Sequence, residues 1–410
     1  DDDVASAEET AKVAEAIVQA CDRLIAGEFL DQFPSDMIQG GAGTTTNMNA
    51  NEVIANIALE ALGHKKGEYQ YVSPNDHVNC SQSTNDAYPT AFRIALIKRL
   101  ESYSKALAAL RDAFGAKGEE FASVLKMGRT HLQDAVPMSM GDEFHGFATN
   151  LDEELARIED SKHLLAEVNM GATAIGTSVN APPGYPELVV EYLCEVTGLE
   201  LKLATDLVEA TSDTGAYVQL SGVIKRTAVK LSKICNDLRL LASGPRAGFH
   251  EINLPQLQPG SSIMPGKVNP VIPEVVNQSA FFVIGMDLTV TLAASAGQLQ
   301  LNVMEPVLGY ALFSSIKTME NAVIALREKC VLGITANTER TRDMVLGSLG
   351  IVTQLNPILG YKMCSKIARE GYEQNKSIHQ IVVQEKKLLT QEKWDEVFTL
   401  ENLINPTFIR

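Results

Sequence analysis

Clustered cysteines are missing from this sequence. Cys21, Cys80, Cys194, Cys235, Cys330 and Cys364 lie scattered, with no C-x-x-C pair and no cysteine and histidine spacing that would hold zinc. That usage excludes a disulfide framework and suits reduced core cysteines in a cytoplasmic protein. Positive charge is also short: 35 Lys and Arg stand against 51 Asp and Glu, a formal net charge of −16. Nucleic acid, which is gripped through clustered Lys and Arg, is therefore excluded as a partner. No run reaches the roughly 18 uninterrupted apolar residues that a membrane span requires. The opening Asp1-Asp2-Asp3 carries no cationic segment followed by an apolar stretch. The expectation is a protein neither secreted nor membrane-bound, in which the N-x-S/T triplets at Asn79, Asn277 and Asn375 are chance matches. Strand-like alternation is scarce as well.

What is present in quantity is helix pattern. With 410 residues, 45% of them hydrophobic, the chain can bury a large core. From Ser212 to Ser243 apolar residues recur at Val218, Leu220, Val223, Ile224, Ala228, Leu231, Ile234, Cys235, Leu238 and Leu241, the three-and-four spacing of one helix face. Ser243-Gly244-Pro245 ends that helix. Similar segments run from about Ala87 to Ala116, Met138 to Asn169, Pro270 to Ser295 and Pro306 to Leu332. The fold class expected is all-α, a central bundle of helices far longer than the usual ~11–12 residues. The segment from Pro270 is apolar on more than one face (Val275, Val276, Ala280, Phe281, Phe282, Ile284, Leu288), which predicts a symmetric homo-oligomer around it. The division expected is an N-terminal domain over 1–83, a bundle over 84–339 and a small C-terminal domain over 340–410, whose start is marked by shorter, more charged helices.

Four segments depart from the helical pattern by concentrating glycine with hydroxyl and amide side chains, and all four are expected at helix edges. The first, Gln39 to Asn49, contains Gly40-Gly41-Ala42-Gly43-Thr44, where glycine lets the backbone approach a ligand and Thr44 and Asn47 offer donors. Read by itself it is equally an ordinary polar loop. The second, Ser81-Gln82-Ser83-Thr84-Asn85-Asp86, opens a helix, so its hydroxyls and amides suit an anion or simply cap the helix. The third, Gly128-Arg129-Thr130-His131, holds a histidine, a candidate acid, base or donor whose bland alternative is a structural role. The fourth is Gly260-Ser261-Ser262-Ile263-Met264-Pro265-Gly266-Lys267-Val268-Asn269-Pro270. It fails the phosphate-loop pattern G-x-x-x-x-G-K-S/T, because one residue too many separates its glycines and Val268 stands where the hydroxyl is needed. Hydroxyls beside Lys267 and Asn269 suit carboxylate binding and proton transfer instead. A dicarboxylate site must be locally cationic or rich in donors, given the overall charge.

Taken in order, these four segments resemble the active-site loops of the aspartase/fumarase superfamily, with Gly260 to Asn269 resembling its signature loop. The resemblance runs through Gly171-Ala172-Thr173-Ala174-Ile175-Gly176-Thr177 to Ile351-Val352-Thr353-Gln354-Leu355-Asn356-Pro357, and so covers essentially the whole chain. Gly67-Glu68-Tyr69-Gln70-Tyr71, Asp31-Gln32-Phe33-Pro34 and Pro270-Val271-Ile272-Pro273-Glu274 resemble the aspartase branch more than class II fumarase. Two features depart from it: Ser178 stands where glycine is expected, and the N-terminal domain is shorter than usual. The resemblance implies elimination of ammonia from L-aspartate to give fumarate, with class II fumarate hydratase or a retired structural homologue as alternatives. It implies Ser261 as catalytic base, activated when the glycine-flanked loop closes to give a dry site beside Lys267. It assigns Thr44, Ser83, Thr84 and Ser262 to the β-carboxylate. Lys267, Asn269 and Thr130 would hold the α-carboxylate, with His131 and Asn85 near the amine and Glu274 orienting His131. No metal or organic cofactor is implied, and the active sites would be shared between subunits of a homotetramer.

Overall fold

The computed structural model describes residues 7–404. In chain order the helices are α1 (Ala7–Ile25), α2 (Thr44–Ala61), α3 (Thr84–Glu120), α4 (Met140–Leu165), α5 (Tyr185–Thr197), α6 (Leu207–Ser212) and α7 (Gly215–Leu241). These are followed by α8 (Val271–Ser295), α9 (Glu305–Lys329), α10 (Thr338–Gly347), α11 (Asn356–Leu359), α12 (Tyr361–Gln374), α13 (Gln391–Val397) and α14 (Leu400–Ile404). The strands are β1 (Leu125–Thr130), β2 (Gln133–Ser139), β3 (Glu167–Val168), β4 (Lys202–Leu203), β5 (Ile252–Asn253) and β6 (Thr335–Ala336). The all-α expectation holds, and the predicted long helices form within a few residues of their expected ends. At 37 residues, α3 is the longest; a helix of that length spans roughly 55 Å at ~1.5 Å per residue.

The third glycine-rich segment is the exception to the expected placement. It lies on a β-hairpin, β1 paired antiparallel with β2, and not at a helix edge. Leu125 and Met127 face inward from β1 and join the core of the C-terminal helices, with Val345, Ile351, Ile367, Ile381 and Trp394. Packing against that core decides the conformation of a stretch too short to carry helical periodicity.

Contacts divide the chain into two compact units. One comprises Asp1–Ser104, Ala156–Arg226 and Phe282–Thr318; the other comprises Lys105–Leu155, Thr227–Phe281 and Met319–Arg410. In the first, Phe92 stacks on Tyr217 at 4.6 Å and meets Phe313 at 5.6 Å, while α1 and α2 bury a satellite cluster around Ala20, Ala55 and Leu59. In the second, Phe114, Phe121, Phe144 and Phe147 interlock edge to face.

One face of α8 is packed, with Val276, Ala280, Val283 and Val290 buried and Asp287 holding Lys225 at 2.6 Å and Ser221 at 2.8 Å. Its other face presents Phe281 (62% exposed), Ile284, Leu288 (60%) and Leu292 (62%). Among the described residues, α8 is the one helix long and apolar enough to cross a membrane by length and composition. A core helix of a soluble protein passes the same test.

Candidate active site

The first two glycine-rich segments converge within the first unit. Gly43, with φ of 94°, caps α2, and a Cβ there would come 2.7 Å from the ring of Tyr88 in the first turns of α3. The loop before α2 therefore lies directly on the start of α3. Asn47 Nδ2 donates to Thr84 Oγ1 at 3.1 Å and to Asn79 Oδ1 at 3.2 Å, and Asn51 Nδ2 reaches the same Asn79 oxygen at 3.0 Å. Thr44 is exposed, its hydroxyl donating to Gly41 O at 2.7 Å.

Ser83 caps α3 as its sequence position suggests, with Oγ accepting from Asn85 N–H at 3.2 Å. The functional and capping readings of this serine are compatible, since a cap leaves further helix N–H groups open at the same end. Asp86 completes a reciprocal capping pair: Oδ1 accepts from Ser83 N–H at 2.9 Å. Its Oδ2 accepts from Gly171 N–H at 3.1 Å and Thr173 N–H at 2.8 Å. Burial raises the Asp86 pKa, against the pull of these amides. Asn85 Nδ2 donates to Ala174 O at 2.8 Å, and Asn169 Nδ2 returns a bond to Asn85 O at 3.0 Å. That carbonyl needs an outside donor because Pro89, four residues on, has no N–H to give it. Thr44, Ser83, Thr84 and Asn85 are thus gathered around the start of α3. Ser83, Thr173 and Ala174 face a cavity of about 400 Å³ there.

In the second unit, residues 254–270 form a strap leading into α8. A Cβ on Gly260 would lie 1.5 Å from Lys267 O, so only glycine fits where the two ends of the loop touch. Asn269 Nδ2 donates to Gly260 O and closes the same loop. Ser261 Oγ accepts from Ile263 N–H at 3.2 Å and Met264 N–H at 3.0 Å. Ser261 and Lys267 line one cavity of about 540 Å³, while Lys267 and Asn269 also line another with His250 and Asn253. Ser262 and Lys267 are exposed, as are Thr130 and His131 at the tip of the β1–β2 hairpin. Within one chain Glu274 makes no hydrogen bond or ion pair with His131. Among the described residues, no three His, Cys, Asp or Glu side chains are grouped to hold a metal ion.

Sequence reasoning missed Asp86 and Asn169. The Ser83-x-x-Asp86 spacing signals the capping pair, but nothing in the sequence shows Asp86 reaching Gly171 and Thr173. It also missed the charge cluster behind the hairpin, buried Lys126 and Glu251 with half-buried Arg129 and Glu143, whose pairing is a tertiary fact.

A long-helix bundle with hydroxyl-rich segments at helix starts and a serine strap before an apolar helix defines a lyase of the fumarase type. The chain belongs to that family: residues 3–285 match the family described as Lyase, and residues 351–405 match the Fumarase C C-terminus. It is similar to the aspartate ammonia-lyase of Pseudomonas aeruginosa, 60% identical over 395 residues that cover 96% of this chain and 83% of that protein. Among solved structures it is similar to a fumarate lyase:delta crystallin from Brucella melitensis bound to cobalt, with TM-score 0.92 and 52% identity, covering 96% of this chain and 84% of that one. It is also similar to a class II fumarase from Schistosoma mansoni, with TM-score 0.91 but 34% identity, covering 96% of this chain and 86% of that one.

Proposed function

We propose that this chain is an aspartate ammonia-lyase, eliminating ammonia from L-aspartate to give fumarate. The observation that carries the reading is Ser261 and Lys267 facing one cavity on a strap closed by Gly260 and Asn269. That geometry occurs in a chain 60% identical to an aspartate ammonia-lyase and 34% identical to a class II fumarase.

In the proposed reaction Ser261 acts as the alkoxide formed as the loop closes, its hydroxyl proton having passed to solvent, and Oγ takes a proton from the carbon beside the side-chain carboxylate. The electron pair of that C–H bond moves onto the carboxylate, which becomes a doubly negative aci-carboxylate. It then returns to form the double bond as the C–N bond breaks and ammonia leaves. The barrier lies in the second negative charge, and each preorganised donor aimed at it contributes on the order of 2.7–4 kcal/mol. Thr44, Ser83, Thr84 and Ser262 are assigned to the β-carboxylate, and Lys267, Asn269 and Thr130 to the α-carboxylate. His131 and Asn85 stand near the amine, with Glu274 orienting His131. No cofactor takes part, because the aci-carboxylate itself holds the electrons.

The unpartnered stripe of Phe281, Ile284, Leu288 and Leu292 supports a homotetramer, with α8 helices of several copies covering one another and sites shared between subunits. The same reading places the enzyme in the cytoplasm and keeps the division into 1–83, 84–339 and 340–410.

The test is ultraviolet absorbance of fumarate formed from L-aspartate, with L-malate and Ser261→Ala in parallel. Turnover of aspartate that falls by about 10²–10⁴-fold in Ser261→Ala is expected. Turnover of malate alone reassigns the chain to fumarate hydration, and turnover of neither points to a retired site.

A further inference from the structure

We propose that Glu251 is a positioning residue that sets the hairpin tip carrying Thr130 and His131; the inference rests on the reading of His131 as a substrate-site residue. The tip is strained. His131 and Leu132, the two residues between β1 and β2, have φ of 55° and 59°. Successive positive φ values are what a tight two-residue hairpin turn needs, and Asn-Gly is its usual occupant. A side chain with a Cβ pays roughly 1–2 kcal/mol in that region. Such a conformation persists only where its surroundings over-determine it.

Both strands are fixed from outside the hairpin. On β2, Asp134 Oδ2 accepts from Ser348 Oγ at 2.6 Å, and a Cβ on Gly350 would sit 2.7 Å from Ala135 O. On β1, the ladder slips between Met127 and Arg129, an irregularity that re-aims the following side chain. Arg129, the residue before Thr130, places its guanidinium 2.5 Å from Glu251 Oε1 and 4.3 Å from the centre of the Phe249 ring.

Glu251 is suited to hold a direction. Its side chain is 1% exposed, so it acts through Arg129 and not on a substrate. Its N–H donates to Leu241 O at 2.9 Å and its carbonyl accepts from Asn337 N–H at 2.8 Å. The carboxylate is therefore presented from a clamped backbone. Its other oxygen lies 3.3 Å from Lys126 Nζ, which donates to Glu143 Oε2 at 2.6 Å. Two cations and two carboxylates balance there, with Lys126 and Glu251 buried and Arg129 and Glu143 partly exposed. Apolar side chains of equal volume would fill that space without desolvating charge, so an ion pair here is weak as a source of stability. What it supplies is orientation by charge: Glu251 draws Nη1 of Arg129 to its side, while the same guanidinium donates to Met127 O at 3.3 Å and to Met344 Sδ at 3.7 Å.

The experiment measures kcat/KM for L-aspartate and thermal melting in the intact enzyme for Glu251→Gln, His131→Ala and the two combined. Glu251→Gln leaves two cations, Lys126 and Arg129, on one carboxylate, so the charge-balanced pair Glu251→Gln with Lys126→Gln is measured beside it. Lys230→Gln, which breaks the ion pair to the buried Glu154, serves as a purely structural comparison. The expected result is a loss of tenfold or more in kcat/KM for Glu251→Gln and for the balanced pair, partial recovery in Glu251→Asp, and less than a twofold further loss when His131 is already Ala. Lys230→Gln should lower the melting temperature and leave kcat/KM unchanged. Losses that multiply fully between Glu251→Gln and His131→Ala overturn the inference, as does a melting shift with kcat/KM unchanged. An unchanged kcat/KM in His131→Ala alone overturns the reading of His131 and the inference with it.

Discussion

Ser83–Asp86 and Gly260–Asn269 both bring hydroxyls to the start of a long helix, yet they are held in different ways. The first is tied down by backbone and side chain alike: Asp86 is fully buried and accepts from three amides, while Asn85 donates to Ala174 O and accepts on its carbonyl from Asn169 Nδ2. The second is exposed along most of its length, with Ile263 83% open to solvent, and is closed by the Asn269 bond and the contact at Gly260. Donors that stabilise developing charge gain by being fixed before the reaction. A serine base gains by being free to approach after substrate has bound, when water is excluded. The contrast teaches that stability and catalysis should separate cleanly between the two segments.

The largest expected effect is on the tied segment. Asp86→Ala strands three amide donors in the interior, each costing about 1–3 kcal/mol when left unsatisfied. Denaturant unfolding should show a loss of at least ~3 kcal/mol. A loss no larger than that of a surface substitution would break the comparison. Next comes the strap. Gly260→Ala must push the loop ends apart, because the new Cβ meets Lys267 O. A loss of turnover of tenfold or more, about 1.4 kcal/mol, is expected with little change in unfolding free energy.

Glu305 probes the first unit by pH. It is buried, and desolvation pushes its carboxyl up to about 8 against the opposing charge of Arg93. A raised folded-state pKa means that its contribution is fully present below the unfolded value near 4.5 and is lost as pH rises through about 8. Glu305→Gln should therefore be more stable than the parent at pH 8 by on the order of 1 kcal/mol or more, with the gap shrinking towards pH 5. Thermal melting across that range checks the sign. The smallest effect is expected at Ser178, whose φ of 53° explains why glycine is the residue expected there. Ser178→Gly should raise stability by up to ~1 kcal/mol, measured by the same melting curves.

Much of this was legible in the residues. Three-and-four spacing from Ser212 to Ser243 announced α7, because a long helix writes its buried face into the sequence at a fixed period. The four polar segments stood out as breaks in that period, and Gly260 and Gly266 marked the strap. The hairpin was read as a helix edge because Leu125 to Ser139 is too short for periodicity to settle, and packing against Ile351 and Trp394 settles it. Ser83 could be read as a cap or as a donor; the structure gives it the first role and leaves room for the second.

The sequence by itself determined the long helices, the polar breaks between them and the unpartnered apolar face of α8, since each follows from local period and composition. Only the tertiary structure decided which distant residues meet. Asp86 with Gly171 and Thr173, Arg129 with Glu251, and Asp134 with Ser348 are joined across 85, 87, 122 and 214 positions. No local pattern encodes such pairs, because partners this far apart in sequence meet only once the helices and strands that carry them have packed.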